Sequence, residues 1–153
     1  MTSPDGAAEL LLDLQVPATT LGMDVVHTAL ADSWASLEIV RPLQQRWRDE
    51  FSLAVAEVAA NIIQYANAPD PPLVDFKLLL EHTPGYLQAR FIDQGIVAIL
   101  PESSAMPSVN VSYEDLGERG RGLALVQITV DRFEYRRTSN GENIWIIEKY
   151  FPL

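Results

Sequence analysis

Three short groups of residues could do chemistry. Glu57 and Asn61 stand four apart within the run Leu53–Ala66. On a helix that spacing stacks them on one face, where a carboxylate and an amide together could serve a nucleotide and its metal. The plain alternative is the solvated flank of an amphipathic helix. Asp93-Gln94-Gly95 closes an apolar alternation. An Asp at a strand end could accept a hydrogen bond from an exocyclic amine such as adenine's, with Gly95 leaving room for the ring; otherwise the tripeptide is a turn. Arg119-Gly120-Arg121-Gly122 stands before Leu123. Glycines ahead of a helix let the backbone approach an anion, and the first helical amides point at it. The two arginines add positive charge. It is neither a Walker A loop nor a dinucleotide fingerprint, because no Lys-Ser/Thr follows and the preceding segment does not read as a strand. A Gly-rich turn that merely starts a helix is the other reading.

The elements that would carry these groups follow from periodicity. Phe51, Val55, Val58, Ile62 and Tyr65 recur at steps of four and three, an apolar stripe of one helix. That helix begins between Pro42 and Arg46 and stops near Tyr65 or Asn67, before Pro69-Asp70-Pro71-Pro72. Ala54 and Ala60 are expected on its exposed side. Upstream, Glu9–Val16 reads as a strand and about Leu21–Leu37 as a helix, capped by Thr19 or Thr20. Val74–Leu80 and Tyr86–Phe91 alternate around Thr83-Pro84-Gly85, a hairpin pattern. Ile96–Gly117 has two prolines and no clear period, which suits a lid or binding loop. A helix from Leu123 to about Val130 follows. Arg132–Arg137 and Asn143–Phe151 are strands joined at Asn140-Gly141, the strongest short hairpin signal. The order β-α-α-β-β-lid-α-β-β has too few helices to cover both faces of a sheet. The expected fold class is therefore α/β, a two-layer sandwich whose mostly antiparallel mixed sheet carries its helices on one face.

Bulk properties narrow the function classes. The chain has 153 residues, 48% hydrophobic and 21% charged, enough for one domain with a core. Residues 1–8 read as a flexible N-terminus and 9–153 as the single domain. Net charge is −10, which disfavours nucleic acid and anionic membrane and suits a basic protein partner. No cysteine is present, so disulfides, thiolate catalysis and Cys-based zinc sites are excluded. His27 and His82 lie in unlike contexts, so no His-based metal site is expected. No apolar run is long enough to span a bilayer, and the N-terminus lacks the basic and apolar regions of a signal peptide. A cytoplasmic protein is expected. Trp34, Trp47 and Trp145 are expected in the core or at an interface.

The groups in their order resemble a known family. Leu53-Ala54-Val55-Ala56-Glu57-Val58-Ala59-Ala60-Asn61, then Phe91-Ile92-Asp93-Gln94-Gly95, then Gly117-Glu118-Arg119-Gly120-Arg121-Gly122-Leu123, and Asp131 before the last hairpin, resemble the ATP-binding domain of the GHKL superfamily (the Bergerat fold). Gyrase-type topoisomerases, heat-shock chaperones, histidine kinases and mismatch-repair ATPases share it. Within it the chain looks most like the bacterial anti-sigma-factor serine/threonine kinases. The resemblance implies Glu57 as general base, Asn61 as the ligand to Mg²⁺, Asp93 as the adenine-binding acid, and Gly95 as the glycine beneath the base. Gly120 and Gly122 match the phosphate-loop glycines, and Arg119 the arginine before them. It implies ATP and Mg²⁺ as cofactors and a homodimer as the assembly. The implied partners are a sigma factor and an anti-anti-sigma protein with a STAS domain, whose serine would be phosphorylated. The alternative is a non-catalytic ATP-binding switch that binds a partner or activates a phosphatase. One departure stands out: many relatives have a second Gly two residues after Asp-x-Gly, where this chain has Val97.

Overall fold

The computed structural model describes residues 8–98 and 118–152, excluding the side chains of residues 39–40 and 118–121. Most of the expected lid, residues 99–117 with Ser103 and Ser104, lies outside the described residues, as does the N-terminal stretch 1–7. The elements are β1 (Glu9–Pro17), α1 (Thr20–Val40), α2 (Gln45–Gln64), β2 (Asp75–His82), β3 (Tyr86–Asp93), α3 (Glu118–Thr129), β4 (Arg132–Arg137) and β5 (Asn143–Tyr150). They run in the expected order.

The five strands form one sheet in the order β1-β2-β3-β5-β4, and each neighbouring pair is antiparallel. The chain leaves β1, passes through two helices and returns beside it as β2. From β3 it crosses through α3 to β4, which runs in the same direction as β3 with β5 inserted between them. No neighbouring pair is parallel, so among the described residues the sheet is antiparallel throughout where a mostly antiparallel mixed one was expected.

Alternation sorts the sheet into two faces. Phe76, Leu78, Leu80, Leu87, Ala89, Phe91, Trp145 and Ile147 face the helices and are buried with Phe51, Val55, Val58 and Ile62 of α2. The stripe read from the sequence is therefore the helix's core face. Ala54, expected on the exposed side, is buried instead, because α1 and α3 pack on α2 in addition to the sheet. The opposite sheet face is mixed, with Leu79, Ile92, Ile144 and Ile146 among charged and polar side chains. Gln88 Nε2 donates to Glu148 Oε2 at 2.6 Å, and Arg132 Nη1 donates to the same oxygen at 2.9 Å. Burial works to lower the Arg132 pKa, but Glu148 and Glu134 beside it outweigh that and raise it.

Two aromatic and charged contacts tie the helices to the last strand. Trp47 stacks on Phe51 and Phe151 and donates its indole N–H to Tyr150 O at 2.9 Å. Lys149 Nζ donates to Thr129 O, the last residue of α3, at 2.8 Å and lies 3.6 Å from Glu50 of α2. A cation at a helix C-terminus offsets the negative end of its dipole.

Candidate functional site

Asn61 lies on the edge of α2 that turns from the core toward the end of β3. It is only 7% exposed, and its Oδ1 finds no hydrogen-bond partner among the described residues. A buried acceptor without a partner costs about 1–3 kcal/mol, so the fold holds this oxygen in place at a penalty. That is the donor chemistry a hard cation takes. Among the described residues no group of three His, Cys, Asp or Glu could hold a metal.

Glu57 sits one turn before Asn61, half-buried where α2 meets α3. A Cβ built on Gly122 would lie 2.4 Å from Glu57 Oε2. Glycine at position 122 is what allows the carboxylate to lie against α3. Gly120 is in the same helix, and the Arg119 side chain lies outside the described residues. The expected helix start at Leu123 is corrected to Glu118, so the glycines form the helix's first turns and not a loop before it. Each Gly costs about 1 kcal/mol in a helix relative to Ala, a cost that Leu123 and Val126 offset by burying against α2.

Asp93 ends β3 and is 4% exposed. Its Oδ1 accepts from Gly95 N and from Asn143 Nδ2, both at 2.8 Å. Its Oδ2 accepts from Trp145 Nε1 at 2.8 Å. A Cβ on Gly95 would meet Asp93 Oδ1 at 2.9 Å, so the glycine is needed for this close approach. Asn61, Asp93 and Gly95 line one cavity with Ile62, Tyr65 and Trp145. Its volume is about 20 Å³, room for about one water. A purine requires the walls to part.

The structure thus gathers Asn61, Asp93 and Gly95 around one space and sets Glu57 and Gly122 in contact beside it. The three groups lie more than twenty-five residues apart in sequence. A family model for the histidine kinase-like ATPase domain matches residues 24–148. The chain belongs to this family. ATP is the ligand that the family implies. Nothing among curated proteins matches the sequence. The fold is similar to a chain in the crystal structure of the SiaB–SiaC complex from Pseudomonas aeruginosa, at 12% identity and a TM-score of 0.54 over 93% of this chain and 91% of that one. At that identity the likeness is one of fold.

Beside Asp93, three residues of this histidine kinase-like domain escaped the sequence reading, Asn143, Tyr135 and Arg137, and a fourth, Trp145, was expected only in the core, where it lies. Asn143 and Trp145 alternate on β5, so they share the core face, and β5 pairs Asn143 with Asp93 and Trp145 with Phe91. The signal was Asn-x-Trp directly after the Asn140-Gly141 turn. It becomes legible only once β5 is known to lie beside β3. The larger groove, about 370 Å³ between β1 and α1 and lined by Leu12, Leu14, Val25 and Ala29 with Asp32 and Ser33, includes none of these residues.

Proposed function

We propose that this chain is an ATP-dependent protein serine kinase that also acts as an anti-sigma factor. It phosphorylates a small anti-anti-sigma protein of the STAS type and sequesters a sigma factor. The observation that carries the reading is the meeting of Asn61, Asp93 and Gly95 on one cavity, with Glu57 a turn away against Gly122. Asp93 offers an acceptor to the amine of adenine, and Gly95 leaves space beside it. Asn61 Oδ1 would hold Mg²⁺, which would supply positive charge to offset that of the phosphates. The first amides of α3, with Gly120 and Gly122 giving access, suit the phosphates. Arg119 is the candidate for a further phosphate contact. Glu57 orients the acceptor hydroxyl and takes its proton as the serine oxygen bonds to the γ-phosphorus and ADP leaves. Positioning and charge do most of the work in such transfers.

The partners rest on the sequence resemblance, and the similar fold in a two-protein complex supports a protein partner. The acidic balance of −10 favours a basic surface on one of them. No helix among the described residues is long and apolar enough to cross a membrane, which is compatible with cytoplasmic work. One observation favours the second reading, a non-catalytic ATP-binding switch. Val97, 56% exposed, stands where many relatives have a glycine.

One measurement tests the ATP binding that both readings share, and a second separates them. Mg²⁺-ATP at a hundredfold its Kd should stabilise the fold by about 2.7 kcal/mol, a Tm rise on the order of 5–10 °C for a chain of this size. Asn61→Ala should lose most of that rise; an undiminished rise removes Asn61 as the metal ligand. Labelled ATP with STAS-type acceptors should yield phosphoserine. Glu57→Ala should keep the thermal shift and lose the transfer. Binding without any transfer by the unaltered chain leaves the switch reading standing.

A further inference from the structure

Tyr135 and Arg137 lie on β4, one strand removed from Asp93, yet both reach the cavity wall through Asn143. Tyr135 OH donates to Asn143 Oδ1 at 2.5 Å, and Arg137 Nη1 donates to the same oxygen at 2.9 Å. Asn143 Nδ2 spends its two hydrogens on Asp93 Oδ1 and Ile96 O, each at 2.8 Å. The amide is fully used, with two donations and two acceptances. Its orientation is therefore fixed. Turned over, it would aim N–H at two donors and oxygen at two acceptors. The same two β4 side chains also hold the loop after Asp93, since Arg137 Nη1 donates to Gly95 O at 3.0 Å and Ala98 N donates to Tyr135 OH at 2.9 Å.

This fixes what Asp93 can offer a ligand. A carboxylate oxygen accepts about two hydrogen bonds. Oδ1 already takes Gly95 N and Asn143 Nδ2, and Oδ2 takes Trp145 Nε1. One acceptor position remains, on Oδ2, in a residue that lines the cavity. A base that puts an amine there gains a bond. One that puts a carbonyl there sets acceptor against acceptor.

We infer that Tyr135 and Arg137 are positioning residues for base selection: by locking Asn143 they hold Asp93 in the one arrangement that accepts an exocyclic amine and rejects a carbonyl. The inference rests on the cavity being the base site of the proposed ATP pocket.

The test compares ATP with ITP, which replaces the amine by a carbonyl. Each displaces trinitrophenyl-ATP from the full chain in the presence of Mg²⁺. The unaltered chain should favour ATP. Tyr135→Phe and Arg137→Ala should each lower the ATP-over-ITP ratio by about tenfold, the scale of one hydrogen bond at a buried polar group. They should do so by weakening ATP while ITP changes little. Arg137→Lys keeps a donor and should restore part of the ratio. If both nucleotides weaken in proportion, or the unaltered chain has no preference, the inference is overturned and ATP binding stands. If the folded, unaltered chain binds neither nucleotide nor the probe, the ATP reading fails and this inference with it. Should Arg137→Ala not fold, Tyr135→Phe, which removes a single oxygen, decides the matter.

Discussion

At the scale of single residues, Gly122 is where helix stability and the site pull in opposite directions. Alanine there would favour the helix by about 1 kcal/mol. Its Cβ would sit 2.4 Å from Glu57 Oε2. The atom in the way is the end of a flexible side chain, so the fold absorbs the change by moving the carboxylate. Gly122→Ala should therefore leave thermal stability unchanged or raised by up to about 1 kcal/mol, while phosphate transfer falls at least tenfold. Transfer at the normal rate in a stable variant would uncouple this close approach from catalysis. Glu57, Asn61 and Asp93 were legible as candidates because each stands in a short pattern with its own chemical logic. Asn143 and Trp145 were not. Their hydrogen bonds to Asp93 span fifty and more positions and depend on which strands become neighbours.

Among the elements, α2 does two jobs with one sequence. Its core face fixes the helix on the sheet, and its polar edge carries Glu57 and Asn61. Phe51 is completely buried and packs on Trp34 and Trp47, whereas Leu53 is 43% exposed. Phe51→Ala should cost about 3–5 kcal/mol in urea unfolding, and Leu53→Ala within about 0.5 kcal/mol. Equal losses would mean that the stripe is not what anchors the helix. The position of α2 was readable because its period is uninterrupted and proline-rich segments bound it. Arg132–Arg137 was readable because Asn140-Gly141 fixes a hairpin. The start of α3 was not. Glycine reads locally as a breaker, and the packing of α3 on α2 that overrides it is tertiary. The same limit explains Ala54: a helix wheel shows one covered face, and only the assembled fold shows that α1 and α3 cover more.

For the molecule as a whole, the sheet leaves β1 at its edge, paired with β2 on one side. An unpaired edge offers a row of backbone donors and acceptors to another strand. Beside it, β1 and α1 flank the open groove of about 370 Å³, whose lining is part apolar and part polar, and Leu10 on the strand is 52% exposed. The groove and the cavity at Asp93 share no lining residue, so an assembly built on the groove can leave the candidate site open. The sequence resemblance implies a homodimer, and we propose the β1 edge as its contact. Light scattering during gel filtration should then give a mass near twice the 17.0 kDa of the chain. Leu10→Lys adds the kind of charge that native edge strands use to resist pairing, at a position too exposed to disturb the core. It should shift the mass toward the monomer at low protein concentration while the Mg²⁺-ATP thermal shift persists. A monomer at every concentration in the unaltered chain would remove the dimer from the proposal, and a dimer indifferent to Leu10→Lys would move its contact away from this edge.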